Sequence, residues 1–224
     1  MSVIMPKTHE DWLQERRNGL GASDAGTIIG VNKWKSNVEL WAEKTGQREP
    51  EDISDKPYVQ YGHDAEPHIR ALFALDHPEL QVSYESPYKI IRSDDKPYIF
   101  CTPDGEITEC KYDGEYATMR KGGLEIKTTK IQNSRQWNEW TGRIPDQYYA
   151  QVCHQMLAAG WEFVWLVARI KYTTRDGEKR AETREYYIRR EECQEDIKAL
   201  ETALCAFWEH VQTKTCPALI LPEI

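Results

Sequence analysis

The sequence predicts an α+β, or mixed α/β, fold in which a mixed, mostly antiparallel sheet is flanked by helices. Three observations carry this. The runs SPYKIIR, KPYIFCTPDGEI and GGLEIKTT follow one another with Asp94-Asp95 and Asp113-Gly114 between them, which is the pattern of neighbouring strands joined by turns. Segments with helical spacing stand before, between and after these strands instead of alternating with them one by one. Neither G-x-x-x-x-G-K-[ST] nor G-x-G-x-x-G occurs, so a doubly wound nucleotide fold, with ATP or NAD, is not indicated.

The elements follow in chain order. SNVELWAEKTG reads as the first clear helix, with Ser36 and Glu39 forming a capping box and Gly46 ending it. A loop rich in Asp, Glu and Pro leads to YGHDAEPHIRALFAL, a helix with Ile69, Leu72 and Phe73 on one face. Pro67 either opens that helix at its first turn or kinks a longer one. After the three strands, DQYYAQVCHQMLAAG is amphipathic, with Tyr149, Val152, Cys153 and Met156 inward and Tyr148, Gln151 and Gln155 on the other face. EFVWLVARIKY and REYYIRR form a hairpin across Asp176-Gly177. The closing helix, ECQEDIKALETALCAFWEHVQ, spaces Ile197, Leu200, Leu204, Phe207, Trp208 and Val211 for docking on a core.

Composition narrows the function. A chain of 224 residues that is 40% hydrophobic can bury a core without disulfides. No apolar run approaches the roughly 20 residues of a membrane span, and the N-terminus has no signal pattern, so a cytoplasmic protein is expected. The six cysteines include no C-x-x-C pair and read as reduced, buried thiols, not as a zinc or iron–sulfur site. A net charge of −8 argues against non-specific coating of nucleic acid. The charge is uneven, however: seven basic against four acidic residues lie between Lys111 and Arg143, and seven against eleven from Asp176 onward.

The basic region contains GGLEIKTTK. On a strand, residues two apart point to the same side, so Glu125 and Lys127 share a face. Asp104, in CTPDG, lies 21 residues before Glu125 and gives the pattern P-D…E-x-K. Asp and Glu carboxylates are hard oxygen ligands suited to Mg²⁺ or Mn²⁺. The Ile126 carbonyl between Glu125 and Lys127 is a candidate further ligand. Metal ions so held activate water and stabilise charge on a scissile phosphate, and a neighbouring lysine orients or deprotonates that water or neutralises the charge. E-x-K alone is better read as an exposed ion pair on an edge strand, since the tripeptide is common, and the preceding P-D brings the two readings about even.

Five blocks in order tip the balance. WLQERRNGLGASDAG, YGHDAEPHIRALF, CTPDG, GLEIK and YYAQVCHQM resemble the phage lambda exonuclease family (YqaJ-type viral recombinases) of the PD-(D/E)xK nuclease superfamily, from Trp12 to about Met156. The resemblance implies a restriction-endonuclease-like core and a single domain over 1–224. Within it, residues 58–172 or so form the core, residues 1–57 a helical segment that binds DNA ends, and residues 173–224 a hairpin with a helix. It implies Asp104 and Glu125 as metal ligands completed by Glu66, Lys127 as the catalytic lysine, and Gln151 as a glutamine reaching the site. Arg16 matches the arginine that grips a terminal 5′-phosphate, a task suited to a planar fork. Ser23 adds a hydroxyl and the start of a short helix, although Ser23 and Asp24 also fit a plain N-cap. Tyr148 suits packing equally well, His154 reads as structural, and Arg17 as solvated. Lys33, Lys35, Arg120, Lys121, Lys130, Arg135 and Arg143 are candidate DNA-backbone contacts as a group. Trp34, Trp137 and Trp140 are candidates for stacking on bases, against core packing as the plainer role. His63, Glu66 and His68 lack H-E-x-x-H spacing and a further ligand, so zinc is not expected.

By resemblance, the activity is Mg²⁺-dependent, with Mn²⁺ as a substitute, and degrades linear duplex DNA 5′ to 3′ to leave 3′ single strands for recombination. A ring-shaped homotrimer and a single-strand annealing partner are implied likewise, and no membrane. Two alternatives stay open: another nuclease of the superfamily, RecB-like or of the restriction type, and a non-catalytic DNA-binding recombination protein.

Overall fold

The computed structural model describes residues 1–113 and 116–221. Its strands form two sheets, a four-stranded one of order β1-β4-β5-β2 and a five-stranded one of order β3-β6-β7-β8-β9. The small sheet is built from β1 (Ser2–Ile4), β2 (Leu20–Gly21), β4 (Ile90–Arg92) and β5 (Ile99–Cys101). The large one contains β3 (Leu80–Ser83), β6 (Gly105–Asp113), β7 (Tyr116–Lys130), β8 (Phe163–Thr173) and β9 (Lys179–Arg189). All its pairings are antiparallel except β7 with β8, so the sheet is mixed as expected. The helices are α1 (His9–Arg17), α2 (Ala25–Ile28), α3 (Asn37–Lys44), α4 (Pro57–Asp76), α5 (Ser134–Glu139), α6 (Asp146–Ala159) and α7 (Gln194–Gln212).

Several expectations need correction. The run KPYIFCTPDGEI is not one strand: Thr102, Pro103 and Asp104 break it, and its halves belong to different sheets. The N-terminal segment is not purely helical, since β1 and β2 join the small sheet. Helix α1 precedes the first helix expected. Thr8 caps it by accepting from the Asp11 N–H at 3.1 Å, but α1 buries no residue and so carries no strong apolar stripe. Helix α4 starts at Pro57 and keeps Pro67 inside it, giving up a backbone donor there. Ile69 and Phe73 are buried, whereas Leu72 is 58% exposed and turned outward. Of the expected Asp113-Gly114 turn, Asp113 ends β6 and Gly114 lies outside the described residues. All six cysteines are free, with Cys101, Cys153 and Cys193 buried but Cys110 and Cys216 exposed.

Other features follow the sequence. Ser36 and Glu39 close a capping box on α3, and Gly177, at φ +85°, turns the β8–β9 hairpin. Helix α7 buries Ile197, Leu200, Leu204, Phe207 and Val211, and Trp208 stacks on Tyr98 with ring centroids 5.0 Å apart. No helix of the described residues is long and apolar enough to cross a membrane.

The large sheet is covered on both faces, and strand alternation sorts its side chains. Val164, Leu166, Ala168 and Ile170 of β8 join α6 and α7 in one core, while Phe163 and Val167 join Ile69 and Phe73 of α4 in another. Leu124 and Ile126 of β7 also belong to the α4 side.

His154, fully buried on α6, ties that helix to the small sheet through Nε2 and the Phe100 carbonyl at 3.0 Å. Burial lowers its pKa to about 4 from the ordinary 6.5, against Asp24 and backbone carbonyl contacts that act in the other direction. The native state therefore stays unprotonated where the unfolded chain takes up a proton, and stability falls as pH drops through this window. His154 should account for a loss of about 2 kcal/mol between pH 7.5 and 5. Urea unfolding at the two pH values should show a pH dependence smaller by that amount in His154→Gln; an equal dependence would refute this assignment.

Candidate active site

Strand β6 begins at Gly105, opposite Leu124, whereas β7 runs on to Lys130 paired with β8. A notch is left beside β7 where β6 has not yet started, and Asp104 stands at its edge. The Ile126 N–H, which has no β6 partner there, donates to Asp104 Oδ2 at 2.7 Å. Within a strand a residue's N–H and C=O project to the same side, so the Ile126 carbonyl also looks into the notch.

Because Leu124 and Ile126 take the α4 face, Glu125 and Lys127 are turned toward α6. Glu125 is only 2% exposed. Gln151 Nε2 donates to its Oε1 at 2.7 Å, Gln155 Nε2 donates to its Oε2, and the Lys127 ammonium pairs with Oε1. These partners compensate a carboxylate that would otherwise be costly to bury. Lys127 Nζ also lies 5.2 Å from the centroid of the Tyr148 ring. Burial alone would lower the lysine's pKa, but Glu125 and Asp104 outweigh it and raise the pKa above its ordinary value. Lys127 is therefore a cation at neutral pH.

Glu66 approaches the notch from α4, and its Oε1 accepts from Arg70 Nη1 at 2.9 Å. The same nitrogen donates to the Asp104 carbonyl. Burial, reinforced by Glu125 and Glu66, pushes the Asp104 carboxyl well above its usual range, while Lys127 and the Ile126 N–H pull the other way. Glu125 and Glu66 thus both repel the Asp104 carboxyl, from opposite faces of the sheet.

A divalent cation would relieve that repulsion, and the donors, three carboxylates and a backbone carbonyl, are hard oxygens of the kind Mg²⁺ and Mn²⁺ prefer. The residues present fit such an ion. They are not drawn into a ready-made cage: among the described residues no three His, Cys, Asp or Glu side chains converge as a metal-holding group, and Glu66 is engaged by Arg70.

A second cluster lies on the small sheet. Arg16 Nη2 donates to Ser23 Oγ at 3.1 Å, and its guanidinium carbon sits 4.6 Å from the centroid of the Trp12 ring. Asp24 accepts from the Gly21 N–H at 3.0 Å and pairs with Lys44 at 2.9 Å. The Asp24 carboxylate thus reaches back to the start of its own turn at Gly21 and does not cap the helix that follows. Burial lowers the pKa of Arg16, with Asp24 opposing. Strands β2 and β5 are parallel, with Leu20 opposite Ile99 and Gly21 opposite Phe100. The chain therefore leaves the small sheet at the same end toward Ser23 and toward Asp104. Trp12 Nε1 approaches Thr102 Oγ1 at 3.4 Å, bridging the two clusters.

Of the basic residues, Lys33, Lys130, Arg135 and Arg143 line one cleft of roughly 560 Å³ that opens beside Tyr148. Trp34 stands at its rim, 86% exposed. The other three do not join it: Lys35 pairs with Glu43, Arg120 with Glu109 and Glu162, and Lys121 is exposed elsewhere on β7. Trp140 is buried and Trp137 packs against the core. Arg17 pairs with Glu49 at the surface. His63 and His68 are exposed.

Two residues at the site went unassigned in the sequence. Gln155 stands one turn after Gln151 and is fully buried against Glu125, and Arg70 stands one turn after Glu66. In both cases the i, i+4 spacing was the available signal.

Residues 11–162 match the model of the YqaJ-like viral recombinase domain. The protein YqaJ of Bacillus subtilis (strain 168) is 33% identical over 156 residues, which cover 70% of this chain and 44% of that protein. The chain thus spans less than half the length of that relative. Among solved structures, the alkaline exonuclease LHK-Exo of Laribacter hongkongensis is similar, with a TM-score of 0.65 at 22% identity, covering 92% of this chain and 93% of that one. Its complex with dAMP is similar at a TM-score of 0.60 and 21% identity over the same shares. At such identities the likeness establishes the fold. With two-thirds of its length matched by the family model, the chain belongs to the YqaJ-like viral recombinase family.

Proposed function

We propose that the chain is a Mg²⁺-dependent nuclease that degrades linear duplex DNA 5′ to 3′, leaving 3′ single strands for recombination, with Mn²⁺ able to replace Mg²⁺. The observation that carries the reading is the notch beside β7, where Asp104, Glu125 and Lys127 meet with Glu66 on its rim. Family membership and a fold shared with an alkaline exonuclease support it. By family resemblance, the working form is a ring-shaped homotrimer that cooperates with a single-strand annealing protein.

Glu66, Asp104, Glu125 and the Ile126 carbonyl would hold the ion, which when bound supplies Lewis-acid polarisation of the phosphate and a more acidic water. The chain's own groups do the rest. Lys127, charged and facing the notch, stabilises negative charge growing on the phosphate oxygens. Gln151 and Gln155 fix both oxygens of Glu125, so that carboxylate needs no rearrangement when substrate arrives. Lys33, Lys130, Arg135 and Arg143 hold the backbone along the cleft. Arg16, half-buried beside Ser23, takes the terminal 5′-phosphate.

The test uses linear duplex DNA labelled at either end beside a covalently closed circle, each with and without Mg²⁺. Loss from 5′ ends that requires Mg²⁺ and spares the circle is the expected result. A cut circle would make the protein an endonuclease, and binding without cleavage under Mg²⁺ or Mn²⁺ would make it a DNA-binding protein. For Arg16→Gln, the preference for 5′-phosphorylated over 5′-hydroxyl ends should fall by roughly ten- to hundredfold, since a charge-assisted contact is worth about 1.5–3 kcal/mol. Competition between the two kinds of end measures it, and an unchanged preference would take the grip away from Arg16.

A further inference from the structure

We propose that Arg70 is the positioning residue of the metal-binding carboxylates, holding Glu66 and Asp104 in register across the notch; this rests on the reading of the notch as a divalent-metal nuclease site. Arg70 lies one turn after Glu66 on α4, with only 11% of its side chain exposed. Nη1 donates both to Glu66 Oε1, at 2.9 Å, and to the Asp104 carbonyl oxygen. An Nη nitrogen carries two hydrogens, so one atom can serve both acceptors. The guanidinium carbon is 3.6 Å from the centroid of the Tyr84 ring, on the segment that follows β3. One side chain thereby joins the helix that bears Glu66, the turn that bears Asp104 and an edge of the large sheet.

The arrangement has a specific use. Glu66 would otherwise sample several rotamers from a helix surface, and fixing it on binding an ion would cost side-chain entropy. Arg70 holds Oε1 and leaves Oε2 for a cation. By gripping the Asp104 carbonyl, it also fixes the backbone that presents the Asp104 carboxylate. A guanidinium near a metal site repels the metal as well. The two effects have opposite signs: if positioning dominates, removing Arg70 weakens metal binding, and if repulsion dominates, removal strengthens it. Lysine at this position keeps the charge but lacks the flat guanidinium that lies on the Tyr84 ring while its Nη1 reaches both acceptors.

Calorimetric titration of Mn²⁺ into the full-length wild type, Arg70→Gln, Arg70→Lys, Glu66→Gln and the Glu66→Gln/Arg70→Gln pair tests this. Both Arg70 variants should bind Mn²⁺ roughly ten- to hundredfold more weakly, as is typical when a group that orients a metal ligand is removed. Their cleavage rate at saturating Mn²⁺ should fall far less than their affinity. The double variant should bind more weakly than Glu66→Gln alone, but by a smaller factor than separates Arg70→Gln from wild type, because only the grip on the Asp104 carbonyl is left to lose. Mn²⁺ binding by Arg70→Gln as tight as wild type, or tighter, would overturn the inference. If Arg70→Gln does not fold, Arg70→Lys, which keeps the charge and the alkyl stem, decides by the same titration. A wild type that cuts DNA and binds Mn²⁺ beside equally tight Arg70 variants removes Arg70's role alone. A wild type that neither binds Mn²⁺ nor cleaves linear duplex removes the nuclease reading, and this inference with it.

Discussion

Replacing Lys127 with alanine should lower the single-turnover cleavage rate by about 10²–10³-fold while the fold survives. The ammonium is a cation placed on the α6 side of β7 and aimed at the notch, with Glu125 as its partner and the Tyr148 ring beside it. Its charge is secured by Glu125 and Asp104 despite burial, so it is available to oppose charge building on a phosphate without first gaining a proton. Glu125 does not lose all compensation in the variant, since the amides of Gln151 and Gln155 still donate to it. Stability should therefore fall by less than the roughly 3–5 kcal/mol of a fully stranded buried charge. The check is pre-steady-state cleavage of 5′-phosphorylated duplex by excess enzyme, with a far-ultraviolet spectrum and a melting curve on the same preparation. Full activity in a folded Lys127→Ala protein would remove the role assigned to the lysine.

Gly123→Ala should be the most damaging small substitution in the large sheet. In β7, Gly122 and Gly123 precede Leu124 and lie against two aromatic residues that lead into and begin β8. A methyl group at 123 would overlap the Trp161 indole, and one at 122 would overlap the Phe163 ring. Both rings are fully buried and have no room to withdraw. Overpacking of this kind costs about 1–3 kcal/mol and sometimes more, which should lower the melting temperature by roughly 5–10 °C for a chain of this size. Thermal denaturation followed by circular dichroism measures it. A variant that melts with the wild type would mean that these rings are not held against the strand. Because the same strand carries Glu125 and Lys127, the loss of packing should also reduce cleavage at temperatures well below the melting point.

The chemistry was more legible in the sequence than the architecture around it. Glu125 and Lys127 could be placed on one face because strand alternation is a local property, and Leu124 and Ile126 declare which face is the apolar one. The capping box at Ser36 and Glu39 and the hairpin at Asp176-Gly177 are local signals of the same kind. The division of KPYIFCTPDGEI between two sheets had no such signal, since strand partnership depends on register with residues far away in the chain. Helix α1 lacks a buried stripe, and β3 is a short edge strand, so neither announces itself. Leu72 was misplaced because helical periodicity marks a face without fixing its rotation against a sheet, and Ile69 and Phe73 took the core. Gln155 and Arg70 each stood one turn from a residue already assigned; what spacing alone could not supply was the partner, a carboxylate carried by a distant strand for one and a turn carbonyl for the other.

The parallel pairing of β2 with β5 has a consequence for what the protein would release. Ser23 and Asp104 leave the small sheet from the same end of adjacent hydrogen-bonded strands, with Trp12 linking the two exits. In the proposed reaction, the point that holds the terminus and the point that breaks the chain are therefore mounted on one rigid frame. Such a frame works as a ruler. Successive fragments should all have one length, indifferent to base sequence.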